Sequence, residues 1–183
     1  GGIATAGPLL GTAPFLVING DVWCDWNPIA AHAIAEELVR SRQLAWLLLV
    51  DNPDHHPQGD FVQLDDGQLS DQDGMRKTFS GIGVYQPTLF AQTAVGQPAK
   101  LAPLLRAAMA ERKVLGDIHR GFWLDVGTPE RLAAQRERIM RRLDSAGARV
   151  LPFPAADAQG ARRRRDRGRH QESTTPTKAP RAK

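Results

Sequence analysis

Apolar and polar residues occur along this chain in blocks that predict strands separated by helices. Residues 15–19 and 44–50 are apolar at successive positions, which is typical of strands covered on both faces. Residues 28–42 lie between them, place Ile29 among apolar positions at helical spacing, and follow Asn27, a residue suited to cap a helix. The order strand, helix, strand favours an α/β sheet with helices on both faces.

The second half of the chain continues this alternation. A strand, a helix, two strand-like segments and a last helix are predicted over residues 78–85, 100–113, 114–121, 122–126 and 128–144. The first of these helices should begin near Ala102 because of Pro103, and the last should be capped by Thr128 with Pro129 in its first turn.

Shorter patterns complete the predicted layout. Residues 51–59 are rich in Pro, Asp and Asn, which predicts a loop, and Asp-Asp-Gly at 65–67 predicts a hairpin turn. In the last helix Leu132, Ile139 and Leu143 recur at helical spacing, so we expect them to pack into a core.

The charge of the chain is divided unevenly. The 183 residues carry a net charge of +4 with a pI near 9.7, yet residues 160–183 hold nine Lys and Arg against two Asp and Glu. Residues 1–145 are therefore predicted to be the folded, mildly acidic domain, and residues 146–183 a disordered basic tail. Because no aromatic residue interleaves the arginine run 162–165, charge alone does not predict nucleic-acid binding.

The cysteine content and the hydropathy pattern indicate the cellular compartment in which this chain is expected to function. Cys24 is the single cysteine, which excludes an internal disulfide and favours a reducing compartment. Its sequence neighbours include no partner that would activate it as a nucleophile. No window is apolar enough to predict a membrane span or a signal peptide, so we expect a cytoplasmic protein with no membrane partner.

His55 and His56 are adjacent in the predicted loop and are expected to be solvated residues rather than a metal pair.

Two aspartates follow predicted strands. Asp21 comes directly after the strand at 15–19, and Asp125 stands where the strand at 122–126 passes through Gly127 into a helix. Ligands of open α/β sheets bind beyond the carboxyl ends of strands, so both carboxylates could project into one crevice. Two hard oxygen donors with room for water and phosphate oxygens suit Mg²⁺. Either aspartate alone is as easily a turn or capping residue, and spacing does not show that the two meet.

Several segments together resemble sugar-1-phosphate nucleotidyltransferases. The resemblance runs from Gly1 to about Arg138 and is carried by residues 15–23 (FLVINGDVW), 49–53 (LVDNP), 59–61 (GDF), 78–82 (TFSGI), 100–105 (KLAPLL) and 123–130 (WLDVGTPE). It implies a Rossmann-like nucleotidyltransferase sheet. The connecting segments are similar to the branch that transfers UMP from UTP to N-acetylmuramate α-1-phosphate in peptidoglycan recycling, with release of pyrophosphate.

The resemblance also implies roles for individual residues. Asp21 and Asp125 would be the catalytic residues that hold Mg²⁺. The sugar 1-phosphate would be contacted by Asn19 and Asp60, with Gly81 letting the sugar approach the backbone. Gly1 and Gly2 would lie at the end of a glycine-rich stretch near the uridine.

One departure from the family leaves alternatives open. Members begin with a strand, a glycine-rich loop containing an arginine, and a Pro-Lys-Pro segment, and this sequence has none of them. Since such a loop cradles the triphosphate, we expect this chain alone to be poorly active. The same pair of aspartates would also serve a hexose-1-phosphate nucleotidyltransferase with another sugar or base. The absent loop leaves open a non-catalytic remnant that acts as a sugar-nucleotide binding or interaction module. The oligomeric state has no signal in the sequence.

Overall fold

The computed structural model describes residues 2–94, 96–97 and 99–145, and the predicted tail at 146–183 lies outside them. In chain order the main elements are α1 (Gly2–Leu10), β1 (Phe15–Ile18), β2 (Val22–Cys24), α2 (Ala31–Arg40), β3 (Ala45–Val50), β4 (Phe61–Gln63), β5 (Leu69–Ser70), β6 (Arg76–Tyr85), α3 (Leu101–Ala110), β7 (Val114–His119), β8 (Trp123–Asp125) and α4 (Pro129–Ser145). Short 3₁₀ turns occupy Pro28–Ala30 and Pro87–Phe90.

The strands form a six-stranded mixed sheet and a separate two-stranded ribbon. Five strands of the sheet are hydrogen-bonded in the order β5-β4-β6-β3-β7, and the sixth strand, β1, also pairs with β6. β6 is antiparallel to β1, β3 and β4, whereas β3 and β7 are parallel. The ribbon joins β2 and β8 in antiparallel register. The predicted α/β class is confirmed, with β6 inserted as an antiparallel strand among the others.

The core is built on both faces of β3, as its continuous apolar sequence predicts. All six of its residues are buried. Ala45, Leu47 and Leu49 share a cluster with three residues of α3, namely Leu105, Ala108 and Met109. Trp46 and Leu48 belong to a second cluster that includes Leu38 of α2. Because successive side chains of a strand point to opposite faces, one apolar strand supports a helix layer on each side.

The predicted cap Thr128 lies at the start of α4, whereas Asn27 caps the 3₁₀ turn that precedes α2 rather than α2 itself, and two predicted core residues are wrong. The Asn27 side chain accepts a hydrogen bond from the Ile29 N–H at 3.1 Å, and Thr128 Oγ1 accepts one from the Arg131 N–H at 3.2 Å. Ile29 is 73% exposed because it lies in a 3₁₀ turn, out of phase with α2. Leu132 is 48% exposed, since helical spacing shows which residues share a face but not whether that face is covered.

Two elements, α1 and β2, were not predicted. α1 contains Gly2, Gly7 and Pro8, residues that disfavour helices, so its sequence does not suggest one. β2 has three residues, too few for a periodic pattern. The core prediction for Ile139 and Leu143 concerns side chains outside those the structure describes. Among the described helices, none is both long and apolar enough to span a membrane.

Candidate active site

The β2–β8 ribbon sets the position of both aspartates. Val22 pairs with Asp125 in the ribbon, and the Val126 N–H donates to the Asp21 carbonyl oxygen at 2.8 Å. Asp21, which comes just before β2, and Asp125, the last residue of β8, therefore lie at the same end of the ribbon. The Trp123 indole N–H donates to the Ser80 carbonyl oxygen of β6 at 2.9 Å, which fixes the ribbon to the sheet.

The two carboxylates converge above Gly127. A Cβ atom added at Gly127 would lie 2.8 Å from Asp21 Oδ2 and 3.0 Å from Asp125 Oδ1. The Gly127 N–H donates to Asp125 Oδ1 at 2.8 Å and so orients that carboxylate. Any side chain here would collide with both carboxylate groups, so the glycine of the Asp-Val-Gly segment keeps the space between them open.

A cavity of about 340 Å³ is lined by both aspartates and by all three residues implied as sugar contacts, which are Asn19, Asp60 and Gly81. Gly81 has φ +84°, and a Cβ there would lie 2.8 Å from Asn19 Nδ2. The Asn19 N–H donates to the Gly81 carbonyl oxygen at 2.9 Å. Only glycine fits this conformation and this contact, so the Asn19 amide lies directly against the backbone of β6.

Asp60 is held firmly at the wall of this cavity. Its Oδ2 accepts a hydrogen bond from the Phe79 N–H at 2.8 Å, and its Oδ1 lies 3.2 Å from His56 Nε2. Its carbonyl oxygen accepts a bond from Arg76 Nη1 at 2.6 Å. With one oxygen bound to backbone, the Asp60 carboxylate presents Oδ1 beside His56 as its remaining acceptor.

His55 and Arg131 face Asp125, and sequence reasoning missed both. Arg131 Nη1 donates to Asp125 Oδ2, and His55 Nε2 lies 3.6 Å from the same oxygen. Arg131 Nη1 is also 3.4 Å from His55 Nε2. His55 was predicted to be a solvated loop residue, but it lines the cavity. The Arg131 guanidinium offsets the negative charge of Asp125 and so lowers its repulsion with Asp21.

The loop that carries both histidines is fixed by Asn52. The Asn52 amide donates to the carbonyl oxygens of Pro57 at 3.0 Å and Arg76 at 3.1 Å, and accepts from the Thr78 hydroxyl at 3.0 Å. Gly59, at φ +63°, packs so tightly that a Cβ would lie 2.7 Å from Asn52 Oδ1. The loop is therefore tied to β6 on the side from which the histidines enter the cavity.

At the start of this loop, Lys77 pairs with Asp51. The Lys77 ammonium donates to Asp51 Oδ1 at 2.7 Å, and this hydrogen bond together with the positive charge holds the pKa of the Asp51 carboxyl below its usual range.

A second, mainly apolar cavity of about 470 Å³ shares Asn19, Asp60 and Phe79 with the first. Gly2 of α1 lines this second cavity rather than the one that contains Asp21. Gly1, also implied as a nucleotide contact, lies outside the described residues. The structure thus brings together Asn19, Asp21, Asp60, Gly81 and Asp125, and places Gly2 one cavity away.

Comparison with known proteins shows a relative that is similar in sequence over most of this chain. Over 134 residues the chain is 48% identical to an N-acetylmuramate alpha-1-phosphate uridylyltransferase from Neisseria meningitidis. The alignment covers 72% of this chain and 58% of the relative, so the chain spans less than two thirds of that relative's length. No protein-family model matches the chain.

Solved structures agree on the fold. A protein from Bacillus anthracis assigned as a glucose-1-phosphate thymidylyltransferase matches with a TM-score of 0.57 at 18% identity, over 82% of this chain and 61% of that one. An apo UDP-glucose pyrophosphorylase matches with a TM-score of 0.54 at 16% identity, over 77% and 59% respectively. The predicted resemblance to sugar-1-phosphate nucleotidyltransferases is confirmed, and the α/β fold is the one these structures share.

Proposed function

We propose that this chain provides the sugar-phosphate and metal side of the active site of a uridylyltransferase that acts on N-acetylmuramate α-1-phosphate. The 48% identical relative supports the choice of nucleotide and sugar. The observation that carries the proposal is the convergence of Asp21 and Asp125 on the space above Gly127. A nucleoside triphosphate substrate and a recycled cell-wall sugar would place the reaction in the cytoplasm, as a step of peptidoglycan recycling.

The donor set at this point fits Mg²⁺. Asp21 and Asp125 offer carboxylate oxygens, the ligands that this hard cation prefers, and the cavity leaves room for water and phosphate oxygens. When bound, Mg²⁺ would supply charge stabilisation to the phosphoryl group in transfer. Arg131 holds Asp125 Oδ2 in the described structure, so we expect this guanidinium to turn toward the added negative charge of a bound phosphate.

The proposed reaction is an in-line displacement. An oxygen of the sugar 1-phosphate forms a bond to the α-phosphorus of UTP, and the bond from that phosphorus to the pyrophosphate oxygen breaks. Such a transfer needs positioning and charge neutralisation more than covalent help from the protein. Asn19 and Asp60 would orient the sugar phosphate through hydrogen bonds, and Gly81 would keep the sugar close to β6. Gly1 and Gly2 would lie on the uridine side.

Binding of the acceptor substrate tests this proposal without requiring turnover. Isothermal titration of the chain with N-acetylmuramate α-1-phosphate in Mg²⁺ should show one site, and binding should weaken by at least tenfold in Asp21→Asn and Asp125→Asn. Asp65→Asn, an exposed carboxylate of the hairpin turn, is the matched control. Absence of binding, or equal binding by both site variants, would contradict the proposal.

Release of pyrophosphate then separates the alternatives. Production of pyrophosphate from UTP and N-acetylmuramate α-1-phosphate would assign the transferase to this chain itself. A preference for glucose 1-phosphate would favour a hexose-1-phosphate nucleotidyltransferase. Tight sugar-phosphate binding with no pyrophosphate from any nucleotide would identify a binding module.

A further inference from the structure

A second cluster of metal-ligand side chains lies at the other end of the β2–β8 ribbon. Cys24, the last residue of β2, and Asp25 meet His119, the last residue of β7. One ligand atom from each of the three lies within 4.8 Å of the others. His119 Nε2 and Asp25 Oδ1 are only 2.8 Å apart. Asp25 and His119 are 94 positions apart in the sequence, so no local sequence motif predicts the cluster.

The surroundings hold these three side chains in place. Asp25 Oδ1 accepts the Phe122 N–H at 2.8 Å, and the Asp25 N–H donates to the Phe122 carbonyl oxygen at 3.0 Å. The Trp26 N–H points at Cys24 Sγ at 3.5 Å. Backbone N–H groups directed at a carboxylate and a sulfur orient these ligand atoms, which is one way in which outer partners tune a metal site.

Gly121 closes one side of the cluster. A Cβ at this position would lie 2.4 Å from Asp25 Oδ1 and 2.6 Å from His119 Nε2. Only glycine lets the β7–β8 connection pass this close to the pair. The His119 side chain is 15% exposed and that of Asp25 is 32% exposed, so His119 is largely covered while Asp25 is open to water.

The donor types indicate the class of ion. Sulfur, imidazole nitrogen and carboxylate oxygen together suit a borderline-soft transition metal, whereas Mg²⁺ prefers oxygen alone. Zn²⁺ bonds of about 2.0–2.3 Å place tetrahedral ligand atoms roughly 3–4 Å apart, so small side-chain rotations would close this set around an ion. Three protein ligands leave a fourth position for water.

We propose that Cys24, Asp25 and His119 form a Zn²⁺ site distinct from the Asp21 and Asp125 site. On binding, the ion takes the position of the proton between His119 Nε2 and Asp25 Oδ1. That proton moves by way of solvent to Nδ1, so His119 binds as a neutral imidazole, and the Cys24 thiol releases its proton to solvent as the sulfur–metal bond forms. The bound ion links the ribbon to the end of β7 in the main sheet. The competing explanation is a plain His–Asp hydrogen bond that ties these elements together without metal.

Zn²⁺ and Co²⁺ binding by the untagged chain distinguishes these explanations. We expect one Zn²⁺ per chain in competition with a chromophoric chelator, and a sulfur-to-cobalt charge-transfer absorption with tetrahedral d–d bands when Co²⁺ is used. Cys24→Ala should abolish the charge-transfer absorption and weaken Zn²⁺ binding by at least tenfold, as should His119→Ala. His32→Ala, an exposed histidine on α2, and Asp21→Asn should bind as the unaltered chain does.

Gly121→Ala provides a variant that keeps every ligand. Its methyl group would displace the His–Asp pair, and we expect a loss in Zn²⁺ affinity of about 10–100-fold, the size seen when outer partners of metal ligands are removed. Circular dichroism and thermal melting would check that each variant folds. Absence of Zn²⁺ binding, a Co²⁺ spectrum without sulfur ligation, or unchanged affinity in a folded Cys24→Ala variant would overturn the proposal.

Discussion

The two ends of the β2–β8 ribbon are built alike but carry different chemistry. At one end Asp21 and Asp125 flank Gly127, and at the other Asp25 and His119 press against Gly121. Each end has a glycine whose missing side chain leaves room for polar groups, and each is closed by a backbone hydrogen bond between the strands. What differs is the donor set: two carboxylates at the first end, and sulfur, nitrogen and oxygen at the second.

This difference shows how a short ribbon serves two purposes. Hard oxygen donors beside a cavity suit a cation that must also bind phosphate, whereas a mixed and partly shielded set suits an ion that remains in place. We therefore expect that each end can be altered without disturbing the other.

The largest effect should follow from Asp21→Asn and Asp125→Asn. These substitutions are to be made in a form of the protein that releases pyrophosphate from UTP. Each removes a negative charge at the point where Mg²⁺ would bind, so turnover should fall by orders of magnitude while the fold is retained. Pyrophosphate release under saturating UTP measures this, with Asp65→Asn as control. Zn²⁺ binding at the opposite end of the ribbon should be unchanged. Near-normal turnover in both variants would contradict the assignment of Asp21 and Asp125 as the catalytic metal ligands.

A smaller effect is expected from Gly127→Ala. The added Cβ would lie 2.8 Å from Asp21 Oδ2, so the two carboxylates must separate to accommodate it. We expect Mg²⁺-dependent binding of the sugar phosphate to weaken by about tenfold or more, because misplaced ligands lose most of their benefit. Titration calorimetry measures the change, and Gly20→Ala is the control since its Cβ meets nothing within 4 Å. Equal binding by Gly127→Ala and the unaltered chain would show that the carboxylates need not converge.

Trp123→Phe should affect both ends of the ribbon together. It removes the indole N–H that donates to the Ser80 carbonyl oxygen and leaves that oxygen without this partner. We expect the free energy of unfolding to fall by about 1–3 kcal/mol in urea denaturation, the usual cost of an unsatisfied buried group. Sugar-phosphate binding at one end and Zn²⁺ binding at the other should weaken together, and weaker binding at one end alone would contradict the description of the ribbon as a single unit.

The smallest effect concerns the reactivity of Cys24. Burial raises the pKa of this thiol above its usual value, the nearby Asp25 charge raises it further, and the Trp26 N–H opposes both. A raised pKa means less thiolate at any pH below it, so alkylation by iodoacetamide should be slower than for a free cysteine peptide at pH 8 and should rise as pH increases. Added Zn²⁺ should slow it further. A rate equal to that of the peptide at pH 8 would contradict the shielded environment.

The sequence predicted those features that depend on local pattern. The apolar run of β3, the Asn27 and Thr128 caps and the Asp-Gly turn follow from propensity and period, and they are present. The meeting of Asp21 and Asp125 could only be suggested, because it depends on the register of β2 against β8. Arg131 and His55 were missed because their partner, Asp125, becomes a neighbour only after folding.

The Cys24 cluster shows the same limit more sharply. A lone cysteine and a distant histidine carry no spacing signal, and the β7–β8 connection brings them together through Gly121. The exposure of Ile29 could not be predicted from the pattern either. A single 3₁₀ turn changes the direction in which this side chain points from the one that a regular helix would give.

Relaxation of the ³¹P nucleus of N-acetylmuramate α-1-phosphate in the presence of the chain and Mn²⁺ tests directly whether Asp21 and Asp125 hold a metal beside the sugar phosphate. Mn²⁺ shares the oxygen preference of Mg²⁺ and broadens nearby phosphorus signals. We expect broadening beyond that of a protein-free sample with the same Mn²⁺ for the unaltered chain and for Cys24→Ala, and only the protein-free broadening for Asp21→Asn and Asp125→Asn. Broadening that persists in both aspartate variants, or that is absent from the unaltered chain, would contradict a metal and phosphate site at this end of the ribbon.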